Sequence, residues 1–402
     1  MKFYKKILLD RSLKYIFAII YIGFFFPVIA LFNQYTNQSN NYISIIYRAS
    51  TFLISFLIIV KEASNKKSFL GSSIIILIFF WIYYMIKLLY DLFFLNLLQN
   101  PNNSIFYYIT QTFGISFINL IAFYYAGKKI NYKQLAQYLF YFLALLNSVI
   151  FFVFIKNHGF NLAEYASMRL GLSSDYTEIE YLNPISIGVY ASYLLISLAY
   201  YRISFYYLIF FIIGIFNLTV SASQGPVLCL FIFYFFYFIK YDIKMNFKNI
   251  IIFIFILILT IFIIYSNVGD EILIIQRILN VDQNESTFQR IEAVNSAYNQ
   301  IKENIFFGTH YFVVINNSVP HNLFIDIILS TGLVGLILVL VSFFRFLKII
   351  ILNYCEYSVM GISFFYFCLT QTSGYVFGLI DFWPLVGLIL TYNNVKYKNV
   401  YS

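Results

Sequence analysis

Two stretches in the last third of the chain hold most of the residues able to accept a proton or grip an anion. In SVPHNLFIDIILSTGLVG, His321 and Asn322 stand directly before an apolar run, with Asp326 one turn inside it. A histidine where a chain enters an apolar layer is only partly solvated, which favours the neutral, proton-accepting imidazole. A lone histidine is more often structural, and His310 and His158 are read in that sense. The second stretch is STFQRIEAVNSAYNQIKEN. Ser286 with Gln289 three residues on reads as a helix capping box. Phe288, Ile291, Val294, Tyr298 and Ile301 recur at helical spacing, so this stripe is expected to lie against the membrane-facing part of the protein. Arg290 then falls in the first turn, where a cation opposes the helix dipole unless an anion occupies the same place. It is either a phosphate clamp or an exposed, stem-packed arginine. Arg277, Arg169 and Arg48 are further candidate anion ligands, because arginine stays protonated and binds phosphate bidentately. Arg48 lies inside an apolar run, where a charge is by default a functional hypothesis, with snorkelling to the surface as the alternative. Asp326 and Asp381 are alternative bases or hydrogen-bond partners. No metal and no cofactor is expected: the loops hold no DxD-like cluster, and Cys229, Cys355 and Cys368 lie in or beside apolar runs without CxxC spacing.

The elements that must position these residues are membrane spans. Of the 402 residues, 61% are hydrophobic and only 11% charged, against roughly 25% charged in soluble domains. The apolar residues come in long runs, and ~20 helical residues cross a bilayer. The runs predict about twelve transmembrane helices, near 14–32, 42–60, 69–90, 105–126, 135–155, 184–201, 205–220, 226–239, 249–266, 323–344, 357–375 and 379–394. The third run continues to Leu98 and is read as tilted, or as ending in a surface-lying segment with Lys87 and Asp91. With a cytoplasmic amino terminus, the inner segments collect Lys2, Lys5, Lys6, Arg11, Lys14, Lys61, Lys66, Lys67, Lys128, Lys129, Lys133, Arg202, Lys240, Lys244, Lys248, Arg345, Lys348, Lys396 and Lys398. That alternation is what the positive-inside rule requires. The net charge of +9 is therefore a topology signal, and no nucleic-acid partner is expected. The expectation is an all-α polytopic protein of the bacterial cytoplasmic (inner) membrane, a single integral domain over 1–402 with both termini cytoplasmic. Residues 267–322 form its large outer loop, carrying the amphipathic helix and placing the chemistry on the outer face.

In order along the chain stand Ser286 and Arg290, Gly308-Thr309-His310, His321-Asn322, and the span element Gly332-Leu333-Val334-Gly335. This succession resembles the O-antigen ligase and repeat-unit polymerase superfamily of bacterial surface polysaccharides. That family also tends to carry Ser-Arg-Gly at the outer end of a mid-chain span. Here the corresponding residues are Ser223-Gln224-Gly225, with Gln224 in the arginine's place, which weighs toward polymerase over ligase. The two spans flanking this element are short, as helices broken around a site would be. The resemblance implies glycosyl transfer from a polyprenyl-diphosphate-linked oligosaccharide within the lipid bilayer, for O-antigen (lipopolysaccharide) or capsule, with a chain-length regulator protein as a partner. It gives Arg290, then Arg277, Arg169 and Arg48, the diphosphate. His321 becomes the general base toward a sugar hydroxyl, and Asn322, Gln224 and Asp326 become sugar-binding or orienting groups. Alternatives are a ligase passing the glycan to a lipid or protein acceptor, and a flippase. A flippase should show internal repeats and charges along a central cavity. The chain shows no obvious repeat and few mid-span charges.

Overall fold

The structure is a computed structural model. It describes residues 18, 41–63, 70–100, 104–158, 172–173, 180–182, 184–201, 205–241, 285–376, 378–379 and 381–392. The expected ninth span, nearly all of the first, and Arg169 and Arg277 lie outside the described residues.

The described chain is helical apart from a short antiparallel pair, Leu172–Ser173 with Glu180–Leu182, which an all-α expectation does not include. In chain order the helices are α1 (Asn41–Ala63), α2 (Ser72–Phe93), α3 (Ile105–Gly127) and α4 (Tyr132–His158). Next come α5 (Pro184–Leu198), α6 (Phe205–Ser221), α7 (Gln224–Tyr241) and α8 (Glu285–Ile301). The last are α9 (Leu323–Asn353), α10 (Ser358–Ser373) and α11 (Phe382–Ile389). Among the described residues, four helices are long and apolar enough to cross a bilayer: α2, α3, α4 as far as Lys156, and α9. The shorter apolar helices α5, α6 and α7 accompany them. The chain is a multi-pass membrane protein.

The bundle has two halves. In one, α2 lies along α9, α11 along α3, and α1 against α3. In the other, α5 is packed by α4, α6, α7 and α10. Helix α10 also touches α9 and α11, joining the halves. The first half centres on Trp81 and Trp383, whose rings meet edge-on at 5.1 Å. The second carries a polar tie: Asn217 Nδ2 donates to Asn147 Oδ1 at 3.0 Å, and Asn147 Nδ2 donates to the Tyr190 carbonyl at 3.1 Å. Interhelical hydrogen bonds in membranes average only ~0.6 kcal/mol, so close packing rather than this tie holds the helices together. The first half of α3 is not regular. Residues Thr110–Phe117 form a π-helix flanked by α-helical turns.

The third apolar run does not lie along the surface. Helix α2 continues through Lys87 and Asp91 to Phe93, and Asp91 is fully buried. Helix α9 is broken near its start, where Gly332 adopts φ 64° and ψ −162°. The freed backbone groups are taken up by the loop after α8. Leu333 N donates to the Ile305 carbonyl at 2.9 Å, Val334 N to Phe306 at 3.2 Å, and Thr309 N to the Leu329 carbonyl at 2.7 Å. Broken spans persist where protein groups replace the lost helical bonds. At Gly308 (φ 74°) and at Gly332 an added Cβ would collide with the backbone of the other segment. The Gly308-Thr309-His310 turn and the glycine of α9 are thus two sides of one close contact.

Candidate functional site

Asn322 starts α9: its Oδ1 accepts from Phe324 N at 3.0 Å and Ile325 N at 3.2 Å, satisfying two amides of the first turn. Its Nδ2 donates to the Gln371 carbonyl at 3.1 Å, tying α9 to the end of α10. The Asn322 amide is therefore engaged at both ends. His321 precedes it at φ 52°, a left-handed conformation uncommon for a residue with a side chain. Its carbonyl accepts from Gly374 N at 3.2 Å, so α10 holds the backbone on which the imidazole stands. Such strain persists only where the surroundings over-determine it, and it gathers at functional sites.

The His321 ring is held below the usual 6.5, first by burial and then by the positive charge of Arg290. Both act the same way, because each disfavours the imidazolium. At neutral pH the ring is neutral and can take a proton. Arg290 is half-buried on α8, which lies on α9. Helix α8 already includes Glu285, so Ser286 lies inside it rather than at a cap, and Arg290 falls in the second turn.

Asp326, in the first turn of α9, is fully buried. Its Oδ2 accepts from Val376 N at 2.7 Å, while Oδ1 has no hydrogen-bond partner among the described residues. Val376 in turn accepts from Trp383 Nε1 at 2.8 Å. Asp326 thus fastens the segment after α10 beneath His321. Gln224 opens α7 after a tight turn in which Ala222 has φ 42°. The neighbouring Gly225 faces Thr372 and Ser373 of α10. The expected break between the two short helices is therefore real, and it borders the segment that holds His321 and Asn322. Arg48 is half-buried on α1, whose packing is with α3. The residues brought together are His321, Asn322, Arg290 and Asp326, with Gln224 beside them.

Several residues position the site in ways that their sequence reading, as surface-lying Lys87 and Asp91 and structural His310, does not specify. Asp91 receives Tyr311 N on Oδ2 at 3.0 Å, and His310 Nδ1 lies 3.0 Å from its Oδ1. Lys87 Nζ donates to the Gly308 carbonyl at 3.2 Å, and the Tyr83 hydroxyl to Phe307 at 2.8 Å. Gln300, at the end of α8, bonds Thr309 Oγ1 and the Phe312 carbonyl at 3.1 Å each, and receives Val314 N at 3.0 Å. An acid and a lysine inside an apolar run are expensive to bury, and that signal could have exposed Asp91 and Lys87. Gln300, Gln371 and Gly374 carry no comparable mark. Among the described residues, no group of three or more His, Cys, Asp or Glu stands where it could hold a metal ion.

The α8 stripe is placed differently from expectation. Ala293, Ala297, Gln300 and Ile301 are buried, whereas Phe288, Ile291 and Tyr298 are exposed. The contact with α9 needed small residues for close approach, and the large apolar ones were turned aside.

No curated protein matches the chain. Residues 209–340 match the family model described as O-antigen ligase. That region contains Gln224, Arg290, the Gly308 turn, His321 and the broken start of α9, so the likeness to that family falls on the candidate site.

Proposed function

We propose that the protein is a glycosyltransferase polymerising oligosaccharide repeat units carried on a polyprenyl diphosphate. The observation that carries this is a half-buried, neutral imidazole beside a guanidinium at the point where a membrane helix begins. The acceptor hydroxyl gives its proton to His321 as its oxygen forms a bond to the anomeric carbon. The bond from that carbon to the diphosphate breaks, and the lipid diphosphate leaves with the electron pair. Arg290 neutralises the leaving group, and direct displacement inverts the anomeric centre. No step calls for a metal. Asn322 and Asp326 act as positioning residues through Gln371 and Val376, and Gln224 faces the sugar from α7. Arg277, Arg169 and Arg48 are additional diphosphate ligands in this proposal.

The chemistry is assigned to the outer face of the cytoplasmic membrane, in a single membrane unit whose 267–322 segment is the outer loop. Supporting this, Lys129 pairs with Glu62 and Lys240 caps carbonyls at the far end of α9, both at the end of the bundle away from His321. Basic residues gather on the cytoplasmic side.

His321→Ala and Arg290→Ala should each abolish long-chain polysaccharide on a gel while the protein still accumulates in the membrane. Normal chains from either variant would remove that residue from the mechanism. The family description favours a second reading, ligation of the finished glycan to another acceptor. Deletion separates the two: loss of a polymerase leaves one repeat unit on the cell surface, and loss of a ligase leaves none.

A further inference from the structure

Helix α8 has three faces. At ~100° per residue, Ala293, Ala297, Gln300 and Ile301 form the side buried on the protein. Gln289, Glu292, Asn295 and Asn299 form an exposed polar side. Between them runs an apolar flank of Ile291 (56% exposed), half-buried Val294 and Tyr298 (61%), while Phe288 falls on the polar side between Asn295 and Asn299. A helix on a protein surface in water needs two faces, one apolar and one polar. A third, apolar and uncovered, calls for another occupant.

The surroundings identify it. Directly after α8, Phe306 and Phe307 are 63% and 58% exposed. The Phe306 backbone bonds Val334, the first of the exposed residues that continue along α9 as Ile337, Val341 and Phe344. Phe307 is bonded by Tyr83 of α2, whose exposed residues include Phe79, Ile82 and Ile86. Both α2 and α9 are long and apolar enough to span a bilayer, so these side chains face lipid. The apolar flank of α8 therefore continues a lipid-facing surface. At its edge the Lys302 ammonium lies 4.3 Å from the Tyr298 ring centre, the pairing of cation and aromatic that suits a headgroup layer.

We propose that α8 is an in-plane membrane helix, seated in the leaflet next to His321 with Ile291 and Tyr298 in lipid and its polar side in water. This does not depend on the transferase reaction. It sets Arg290, which falls on the protein-facing side between Ala297 and Ile301, at headgroup depth.

The test places a cysteine at one position at a time in the full chain, held in phosphatidylethanolamine–phosphatidylglycerol nanodiscs. Ile291→Cys and Tyr298→Cys sample the apolar flank, and Glu292→Cys and Asn299→Cys the polar one. Each is labelled with an environment-sensitive nitrobenzoxadiazole dye, and the unmodified chain supplies the baseline from Cys229, Cys355 and Cys368. Labels on the apolar flank should emit to the blue and be quenched several-fold more by nitroxide lipids than by a water-soluble quencher. Those on the polar flank should do the reverse. Equal quenching by the aqueous agent on both flanks would overturn the proposal. So would shielding of the apolar flank from both quenchers, which would mean that a protein covers it. Ile291→Trp read with brominated lipids repeats the measurement without a dye, against a chain whose own Trp81 and Trp383 are buried.

Discussion

Two turns of one segment each carry a histidine, and their surroundings differ in kind. Around His310, every neighbour closes an interaction: Asp91 takes its ring and the next amide, Gln300 and Lys87 hold the flanking backbone, and Gly308 meets Gly332. Around His321 the backbone is fixed just as firmly, by Gly374 and the Asn322 cap, but the ring stands beside Arg290 in a half-buried place. One turn is a staple, and the other is a mount. A charge beside a ring that would share its sign does not stabilise a fold. It keeps a base unprotonated.

Substitutions that exchange the two roles would break this contrast, and the largest effect is expected at the mount. His321→Ala should lower the polymer-forming rate by ~10²–10⁴, measured with lipid-linked substrate, while the thermal midpoint stays within a few degrees. His310→Ala should do the opposite, destabilising the protein and leaving most of the rate. Next, Gly308→Ala or Gly332→Ala should destabilise the bundle by at least ~2 kcal/mol, through positive φ and backbone overlap. A thermal unfolding curve in detergent that does not move would mean that the two segments are not in contact. Asp91→Ala leaves buried donors unpaired and should cost ~1–3 kcal/mol in the same assay. Asn322→Ala removes a helix cap worth ~1 kcal/mol, and the rate should fall because the mount loosens.

The smallest expected effect sharpens the electrostatics. Modification of His321 by diethyl pyrocarbonate follows the neutral ring, so its midpoint should lie below 6.5. In Arg290→Gln the repulsion is gone but burial remains. The midpoint should rise while staying under the ordinary value, because burial is the larger cause. An unmoved midpoint would separate Arg290 from the site.

Much of this was legible before any coordinates. Apolar runs are a one-dimensional property, since crossing a bilayer needs only length and hydrophobicity, and α2, α3, α4 and α9 lie where those runs stand. The entry position of His321 and the turn before Gln224 are also local, each decided within a few residues, whereas the cap at Asn322 was not read from the sequence. The neighbours of those residues were not legible. Asp91 stands far from His310 in the chain, and an apolar run with one acid in it does not name the acid's partner. The face of α8 that meets the protein was misjudged for the same reason. Periodicity says that large apolar residues share a side, whereas the face turned to the protein carries Ala293 and Ala297 with Gln300 and Ile301. Sequence alone determined that the chain lives in a membrane and which residues could do chemistry, because hydropathy and side-chain type do not depend on neighbours. Tertiary structure decided which histidine is tied down and which is held ready, because that depends on what lies within a few ångströms across the fold.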